Sequence, residues 1–232
     1  MSLKIVFMGT SEFSLPTLEA LIKNQFNILK VYTQPPKKSK RGQKINPSPV
    51  ENFCTKNQLE LSCPLNINNE KELNNFKKLS PDAVVVVAYG QMVPKFLLDV
   101  PKFGFINVHA SLLPKWRGAA PIQRAIMNND EKIGVSIMKI EEKLDSGPVL
   151  MSKEIKLDKS KTYGYLERKL SMIGADLLIE SLKTLQNKNP KFVDQNHYES
   201  TYAKKIDKNE TKINWNLDAK KVLAHIHGLS PN

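Results

Sequence analysis

Asn107 and His109 are the two residues whose types and spacing most directly suggest chemistry. They belong to an apolar run at 105–110 that has the composition of a buried strand. On an extended backbone, side chains two positions apart point to the same face, so the amide and the imidazole would share one small space. Such a pair can stabilise a carbonyl oxygen that becomes negatively charged, because the amide and a protonated imidazole both donate hydrogen bonds to it. An Asn-X-His at a strand end also occurs as a purely structural feature, and spacing alone leaves both interpretations open.

Two further stretches could serve the same site. Ser-Leu-Leu-Pro at 111–114 ends the strand with exposed backbone groups and two leucines, which suits a flat, partly apolar ligand. The polar loop 141–148 carries three carboxylates, and Asp145 stands out because the Ser-Gly-Pro behind it forces a turn. The candidate ligand-binding residues of the first stretch are Ser111, Leu112, Leu113 and Pro114.

The elements around these residues predict an α/β protein with a Rossmann-like open, mostly parallel sheet and helices on both faces. Residues 3–8 have the pattern of a buried strand, followed by a turn at Gly9 and a helix that begins near Pro16. Residues 28–33 give a second strand, and 82–88 give a central strand that is apolar throughout after Asp82, as in a strand covered on both faces. Alternating strands and helices are typical of a parallel sheet. A single glycine is no dinucleotide fingerprint, so we do not expect NAD binding.

The predicted sheet places two loops at one edge. Ligands of open parallel sheets bind beyond the carboxyl ends of the strands. The loop after 82–88 and the stretch 107–114 both lie at such ends, so both should border one crevice, although the first loop could also be an ordinary turn. Its candidate ligand-binding residues are Gly90, Gln91, Met92 and Val93.

The charge of the chain suits an anionic partner. It has 35 Lys and Arg against 23 Asp and Glu, a formal net charge of +12. Most of the basic residues are Lys, and overall charge alone is weak evidence for nucleic acid. The loop 34–50 is more specific, because it is rich in proline, contains no acidic residue and can meet phosphates; a solvated surface loop is the alternative. Its basic residues are Lys37, Lys38, Lys40, Arg41 and Lys44.

Cysteine usage and hydropathy set the expected compartment. Cys54 and Cys63 have neither metal-ligand spacing nor the pattern of a disulfide framework, which is typical of reduced thiols. No apolar stretch reaches the length of a membrane span, and the N-terminus enters a strand-like run without a cleavage site. We therefore expect a cytoplasmic protein. We also expect that it is a monomer and uses no metal.

Further short motifs accompany these residues in a fixed order. They are Thr33-Gln34-Pro35, Pro47-Ser48-Pro49-Val50, Ala88-Tyr89-Gly90-Gln91, Trp116-Arg117-Gly118-Ala119-Ala120-Pro121-Ile122-Gln123 and Leu144-Asp145-Ser146-Gly147. With them, the chain resembles the enzymes that transfer a formyl group from 10-formyltetrahydrofolate, and among these the methionyl-tRNA formyltransferase family most of all. The resemblance runs from about Lys4 to the last residue. It implies that Asn107, His109 and Asp145 are catalytic and that residues 90–93 line a folate pocket.

The resemblance also implies a nucleic-acid partner and a domain plan. In the family, the loop corresponding to 34–50 enters the acceptor stem of initiator tRNA, and Arg41 stands where the family's tRNA-reading arginine does. The implied plan is a catalytic domain at 1–189, a linker at 190–206 and, at 207–232, the beginning of an OB-like C-terminal domain that binds tRNA. Most of that barrel is absent from the sequence, either because the protein is shortened or because the rest is not represented.

The activity that the resemblance implies is formyl transfer from 10-formyltetrahydrofolate to the α-amino group of methionine on initiator methionyl-tRNA, for translation initiation. In this hypothesis Asn107 and His109 stabilise an oxyanion, while Asp145 favours the charged imidazole and relays protons through a bound water. Formyltransferases that act on glycinamide ribonucleotide or on an amino sugar nucleotide would share these three residues, and only the basic loop argues against them. A nucleic-acid-binding module without catalysis would explain the charge but not the polar residues.

Overall fold

The structure is a computed structural model that describes residues 2–39, 44–186 and 190–231. The predicted α/β fold, an open and mostly parallel sheet with helices on both faces, is confirmed. Its strands are β1 (Lys4–Gly9), β2 (Asn27–Tyr32), β3 (Lys37–Ser39), β4 (Lys44–Asn46), β5 (Leu61–Ser62), β6 (Ala83–Val87), β7 (Phe105–His109), β8 (Arg117–Gly118), β9 (Lys132–Lys139), β10 (Val149–Lys156) and β11 (Tyr202–Ala203). Its helices are α1 (Leu15–Lys23), α2 (Pro49–Lys56), α3 (Glu70–Leu79), α4 (Lys95–Leu98), α5 (Pro121–Met127), α6 (Tyr163–Gln186) and α7 (Ala219–Leu229).

The main sheet has the strand order β10-β9-β7-β6-β1-β2-β5. The five strands from β7 to β5 pair in parallel, whereas β9 runs antiparallel to β7 and β10 antiparallel to β9. The chain passes from β1 to β2 on one side and returns to β6 on the other, so the order of the strands reverses between β1 and β6. Ligands of open sheets bind in the crevice that such a reversal creates.

Hydrophobic side chains cover the sheet on both faces. Along β1, Phe7 points to a core that also holds Leu18 of α1 and Leu170 of α6. Met8, the next residue, points to the opposite core with Phe76 of α3. Successive strand residues point to opposite faces, so a strand that is apolar throughout, as β6 is, must be covered on both sides. The paired layers hold the carboxyl ends of the central strands in place.

Both cysteines of the chain, Cys54 and Cys63, have free thiols. Burial raises the pKa of the Cys54 thiol to about 11. Across residues 2–39, 44–186 and 190–231, no helix combines the length and the apolar character needed to cross a membrane.

The basic loop differs from the irregular loop that we predicted. Residues 37–39 and 44–46 form a short antiparallel hairpin, in which Lys38 pairs with Ile45 and Ser39 with Lys44. Extended backbone needs partners for its N–H and C=O groups, and the facing strand supplies them; charge and proline content do not reveal such pairing. Lys40 and Arg41 lie outside the described residues.

The C-terminal stretch packs against the rest of the chain. Within the range predicted as a linker, β11 pairs in parallel with β8, and the following α7 packs against α5. A Cβ at Gly228 would lie 2.8 Å from Cγ of Met127, so glycine permits the close approach of these helices. The domain boundaries and the OB-like module stay predictions.

An ion pair between α5 and the segment that precedes α7 should make the stability of the fold depend on pH. The Arg124 guanidinium donates to both carboxylate oxygens of Glu210, at 2.6 and 2.9 Å, and these hydrogen bonds lower the pKa of Glu210 to about 2. The unfolded pKa is about 4.3, so the carboxylate stabilises the fold above that pH, and the contribution is lost as the pH falls toward the folded value. Because Glu210 is partly exposed, we expect less than about 1 kcal/mol.

Glu210→Gln should therefore lower the melting temperature by at most about 3 °C at pH 7. The difference from the parent chain should shrink when the same thermal scans are repeated between pH 5 and pH 3. Glu180→Gln, on the exposed side of α6, is the matched control and should show no such trend. A difference for Glu210→Gln that is constant over this pH range would contradict the assignment.

Candidate active site

A cavity of about 630 Å³ opens at the carboxyl edge of the parallel sheet. Its wall consists of the loop after β6, the end of β7, the loop between β9 and β10, and the first turns of α5 and α6. The volume lies in the range of roughly 300–1,000 Å³ that is typical of small-ligand pockets. Gly90 of the loop after β6 and His109 at the end of β7 both line it, so these two strand ends border one crevice.

Asn107 and His109 reach the cavity from the same face of β7. The strand is held on both sides, because Asn107 lies opposite Val86 of β6 and Met138 of β9. His109 is only 6% exposed, whereas Asn107 is half-buried. Within the described residues the Asn107 amide has no hydrogen-bond partner, so its N–H groups are available to a ligand.

The backbone fixes the imidazole of His109. Its Nε2 lies 2.9 Å from the carbonyl oxygen of Trp116. A carbonyl oxygen can only accept a hydrogen bond, so Nε2 carries a proton in this arrangement. Nδ1 is therefore the ring nitrogen that can exchange a proton with a ligand or with Asp145. If His109 donates to a ligand, the donor atom is therefore Nδ1.

Asp145 brings a carboxylate to the same cavity from the loop between β9 and β10. Its Oδ2 lies 3.8 Å from Nδ1 of His109, an ion-pair distance that is longer than a hydrogen bond. The same oxygen accepts a hydrogen bond of 2.8 Å from the backbone N–H of Gly118. The backbone of Asp145 has φ +48°, a conformation that a residue with a side chain keeps only when its surroundings hold it there. All three residues predicted to be catalytic line one cavity, and their catalytic roles stay predictions.

The loop after β6 lines the cavity through Gly90, Gln91, Met92 and Val93. Gly90 has φ +81°, which favours glycine. The Gln91 amide is used within the protein, because its Nε2 donates to the carbonyl oxygen of Pro64 at 2.9 Å and its Oε1 accepts from the N–H of Ile67 at 3.0 Å. Met92 is largely exposed. This loop therefore offers backbone groups and apolar side chains to a ligand.

The stretch Ser111, Leu112, Leu113 and Pro114 is placed differently from our expectation. Among the described residues that line the cavity, these four are not included. The Ser111 hydroxyl donates to the carbonyl oxygen of Lys115 at 2.6 Å, and the N–H of Leu113 donates to the Ser136 hydroxyl at 3.2 Å. Polar groups that the sequence suggested for a ligand are thus used to fix the turn onto β9. Contact between a folate and these residues stays a prediction that the geometry does not favour.

Three of the five predicted tRNA-binding residues belong to the strands of the hairpin, which contacts the loop after β6 through Gln34. The exposed Lys37 contacts the Gln34 side chain, whose Nε2 in turn donates to the carbonyl oxygen of Tyr89 at 3.0 Å. Lys38 and Lys44 lie in β3 and β4. Lys40 and Arg41 fall outside the described residues, so tRNA contact stays a prediction for all five.

The charges that line the cavity are opposite in sign to the charge of the chain. Among the described lining residues there are four carboxylates and no lysine or arginine, although the formal net charge of the chain is +12. The carboxylates are Glu141, Glu142, Asp145 and Glu167. In the described part of the chain, no group of three or more His, Cys, Asp or Glu is arranged to hold a metal ion.

Two of the residues that line the cavity are tyrosines with raised pKa values. Burial and the Glu72 carboxylate raise the pKa of Tyr89. Burial and a hydrogen bond of 2.5 Å to Glu167 raise the pKa of Tyr163. Both phenols therefore remain protonated at neutral pH. The first turns of α6 thus line the cavity through Tyr163 and Glu167, while Leu166 and Leu170 of the same helix pack in the core.

Gln195 and Arg117 are site residues that the sequence did not reveal. The Gln195 side chain donates to the carbonyl oxygens of Asp145 and Gly147 and accepts from the guanidinium of Arg117. Arg117 was noticed only as part of a motif. No local pattern marks Gln195, because its partners are far away along the chain and meet it only in the folded protein.

A three-layer α/β fold with a cavity at the carboxyl edge of its sheet, lined by Asn107, His109 and Asp145, is typical of small-ligand enzymes of the Rossmann-like class. Comparison with known proteins identifies the family. The chain belongs to the formyl transferase family, whose model matches residues 3–182. It is 46% identical to the methionyl-tRNA formyltransferase of Pelagibacter ubique (strain HTCC1062), over 100% of this chain and 75% of that protein. It is 45% identical to the methionyl-tRNA formyltransferase of Coxiella burnetii (strain CbuK_Q154), over 100% of this chain and 74% of that protein. The chain thus spans about three quarters of the length of these relatives.

Solved structures share the fold at low sequence identity. An N-formyltransferase from Helicobacter canadensis, in complex with folinic acid and dTDP-3-aminofucose, has a TM-score of 0.75 at 19% identity, over 98% of this chain and 80% of that one. A phosphoribosylglycinamide formyltransferase from Bacillus halodurans has a TM-score of 0.66 at 21% identity, over 80% of this chain and 96% of that one. At these identities the comparisons support the fold alone.

Proposed function

We propose that this chain transfers a formyl group from 10-formyltetrahydrofolate to the α-amino group of methionine on initiator methionyl-tRNA, for translation initiation. The observation that carries the proposal is the similarity of the whole chain to methionyl-tRNA formyltransferases. The presence of Asn107, His109 and Asp145 at one cavity is the second support, because these residue types suit acyl transfer.

The proposed reaction forms one bond and breaks another. The neutral α-amine attacks the formyl carbon, which gives a tetrahedral oxyanion, and the bond from that carbon to N10 of the folate then breaks. One proton leaves the attacking nitrogen and one is delivered to N10. Free α-amino groups titrate at about 7.7 to 8.0, so a proton acceptor must keep part of the amine neutral.

Each of the three residues has a role that its geometry allows. Asn107 donates an amide N–H to the oxyanion, since that amide is unused within the described protein. His109 uses Nδ1 toward the reacting groups, because Nε2 is occupied by the Trp116 carbonyl. Asp145 stabilises the imidazolium across 3.8 Å and accepts the proton that leaves the amine, directly or through a bound water.

The folate donor fits the wall formed by residues 90–93. A pterin is flat and carries hydrogen-bonding edges, so it suits a wall of backbone groups with apolar side chains such as Met92 and Val93. A donor bound there would place its formyl group toward β7, which lines the same cavity.

Gly90→Ala should therefore weaken the binding of a non-transferable folate analogue about tenfold, since a left-handed φ costs a residue with a side chain roughly 1–2 kcal/mol. The added Cβ would also lie 2.2 Å from Gln34 Nε2, which supports the loop through the Tyr89 carbonyl. Calorimetric titration measures the change in affinity.

Gly104→Ala is the matched control, because Gly104 also has a left-handed φ, +74°, and a crowded Cβ position but does not line the described cavity. Gly104→Ala should lower the stability of the fold without lowering the affinity for the folate analogue. Equal affinities for Gly90→Ala and the parent chain would contradict the assignment of this wall to the folate.

The cavity distinguishes the proposed acceptor from the alternatives. Glycinamide ribonucleotide and amino sugar nucleotides carry phosphate groups, which lysine or arginine usually binds. The described lining residues include neither, and their four carboxylates would repel phosphate. An aminoacyl ester brings an amine and a thioether into the cavity and leaves the tRNA phosphates outside, where the basic hairpin lies.

The proposed function also assigns a tRNA-binding surface and a division of the chain into units. Lys37, Lys38, Lys40, Arg41 and Lys44 would contact the tRNA, with residues 1–189 as the catalytic unit, 190–206 as the connection and 207–232 as the beginning of a tRNA-binding module. The protein would act as a monomer in the cytoplasm, where initiator tRNA is charged.

Competition between acceptors tests the proposed function. The chain is mixed with 10-formyltetrahydrofolate and equal concentrations of charged initiator tRNA, glycinamide ribonucleotide and an amino sugar nucleotide, and each formylated product is quantified. We expect formyl-methionyl-tRNA to dominate. Preferential formylation of either nucleotide would overturn the proposed acceptor but keep the enzyme class, and formylation of none would overturn the proposal itself.

A further inference from the structure

The backbone that holds His109 and Asp145 is itself held by a segment outside the range matched by the family model. Residues 195–203 follow that range, which ends at residue 182. Thr201 accepts from the N–H of Trp116 through its hydroxyl, at 2.8 Å, and from the N–H of Arg117 through its carbonyl, at 2.9 Å. The carbonyl of Ala203 accepts from the N–H of Ala119 at 2.9 Å. We call residues 195–203 the strap.

Gln195 is the buried residue of this strap, with 8% of its surface exposed. Its Nε2 donates to the carbonyl oxygen of Asp145 at 3.0 Å and to that of Gly147 at 2.7 Å. Its Oε1 accepts from Nε and Nη2 of Arg117 at 3.0 and 2.7 Å. A glutamine amide has two donor hydrogens and two acceptor lone pairs, so every hydrogen-bonding position of this side chain is used.

The partners of Gln195 are the two backbone segments that place the candidate catalytic groups. Asp145 has φ +48° and needs support from its surroundings, which the two hydrogen bonds to its turn supply. Arg117 lies between Trp116, whose carbonyl holds His109, and Gly118, whose N–H holds Asp145. One side chain therefore ties together both supports of the His109 and Asp145 pair.

We infer that Gln195 is a positioning residue for formyl transfer, acting through the Asp145 turn and not through contact with either substrate. Among the described residues Gln195 does not line the cavity, so donor binding should not depend on it. The inference rests on the proposed function, because formylation of methionyl-tRNA is the reaction by which the role of Gln195 is measured. It also assigns part of the catalytic framework to the strap, beyond the residues that the family model covers.

Gln195→Glu tests this with almost no change in volume. Glutamate can still accept from Arg117, but it offers a carboxylate oxygen where the Asp145 and Gly147 carbonyls need a donor. A displacement of the Asp145 turn by about 1 Å should lower kcat by roughly tenfold to a hundredfold, with the KM for the donor changed by less than about threefold. The control is Gln58→Glu, which adds the same charge at an exposed position away from the cavity and should leave kcat unchanged.

The same substitution in an Asp145→Asn background separates positioning from a general loss of structure. If Gln195 acts through Asp145, the second substitution should lower the remaining kcat by less than about twofold. A full tenfold loss in that background would overturn the inference, as would an effect of less than twofold in the parent chain. Loss of folate-analogue binding together with kcat would mean that Gln195 only holds the fold, which would also overturn it.

The activity of the parent chain distinguishes a failure of the proposed function from a failure of the inference about Gln195. If the parent chain formylates no methionyl-tRNA, the function and the inference fall together. If the parent chain is active and Gln195→Glu matches it, the inference alone is wrong.

Discussion

His109→Ala should lower kcat for formyl transfer at least about a hundredfold, because removal of one donor to an oxyanion costs on the order of 2.7–4 kcal/mol. His109 is buried at the cavity, its Nε2 is fixed by the Trp116 carbonyl, and its Nδ1 faces Asp145. Alanine removes the charged donor and the nitrogen that exchanges protons. The measurement is steady-state formylation of charged initiator tRNA at saturating donor.

The control for this variant is His227→Ala. His227 also has one ring nitrogen near a backbone carbonyl, at 3.0 Å from that of Lys159, but it does not line the described cavity. It should keep kcat within about twofold of the parent chain. Titration of the folate analogue should show both variants folded and able to bind the donor. A His109→Ala protein that binds the analogue and turns over at the parent rate would refute the role of His109.

Asp145→Asn should lower kcat by about a hundredfold, since general acid and base groups typically contribute 10²–10⁴. The asparagine oxygen can keep the hydrogen bond from the Gly118 N–H, and the backbone of the turn is unchanged, so the geometry should be kept. The substitution removes the negative charge opposite Nδ1 of His109 and the proton acceptor for the amine. The loss should therefore fall on kcat, with the KM for the donor nearly constant.

Asp176→Asn is the matched control, because Asp176 is exposed on α6 and outside the described lining of the cavity. It should have no effect on kcat. If Asp145→Asn raised only the KM for the donor, Asp145 would be a binding residue and not a catalytic one. If it left both parameters unchanged, the proton relay that we propose would be wrong.

The sequence predicted the parts of this site that depend on local periodicity. The run at 82–88, which is apolar after Asp82, predicted the central strand that the structure places at Ala83–Val87. Because a strand has a period of two, Asn107 and His109 had to share a face, and both line the cavity. Asp145 is more distant along the chain, and only the resemblance to known formyltransferases connected it with His109.

Other features depend on the folded chain and could not be predicted from the sequence. No pattern in the sequence indicated that the Trp116 carbonyl would fix Nε2 of His109. A position after a strand end did not reveal that the N–H of Leu113 and the carbonyl of Ser111 would both bond to the Ser136 hydroxyl of β9. Gln195 has no local signal because each of its partners belongs to another segment.

The most direct test of the account is a single turnover with labelled donor. The chain, in excess, is preincubated with 10-formyltetrahydrofolate labelled in the formyl group and is then mixed with charged initiator tRNA. The methionine is released by mild base after increasing times and analysed for the label. We expect the label on the α-amino nitrogen of the released methionine when the parent chain is the enzyme, and its appearance at least about a hundredfold more slowly with His109→Ala. Label that stays on the folate in the parent chain, or that moves equally fast in both proteins, would contradict the account.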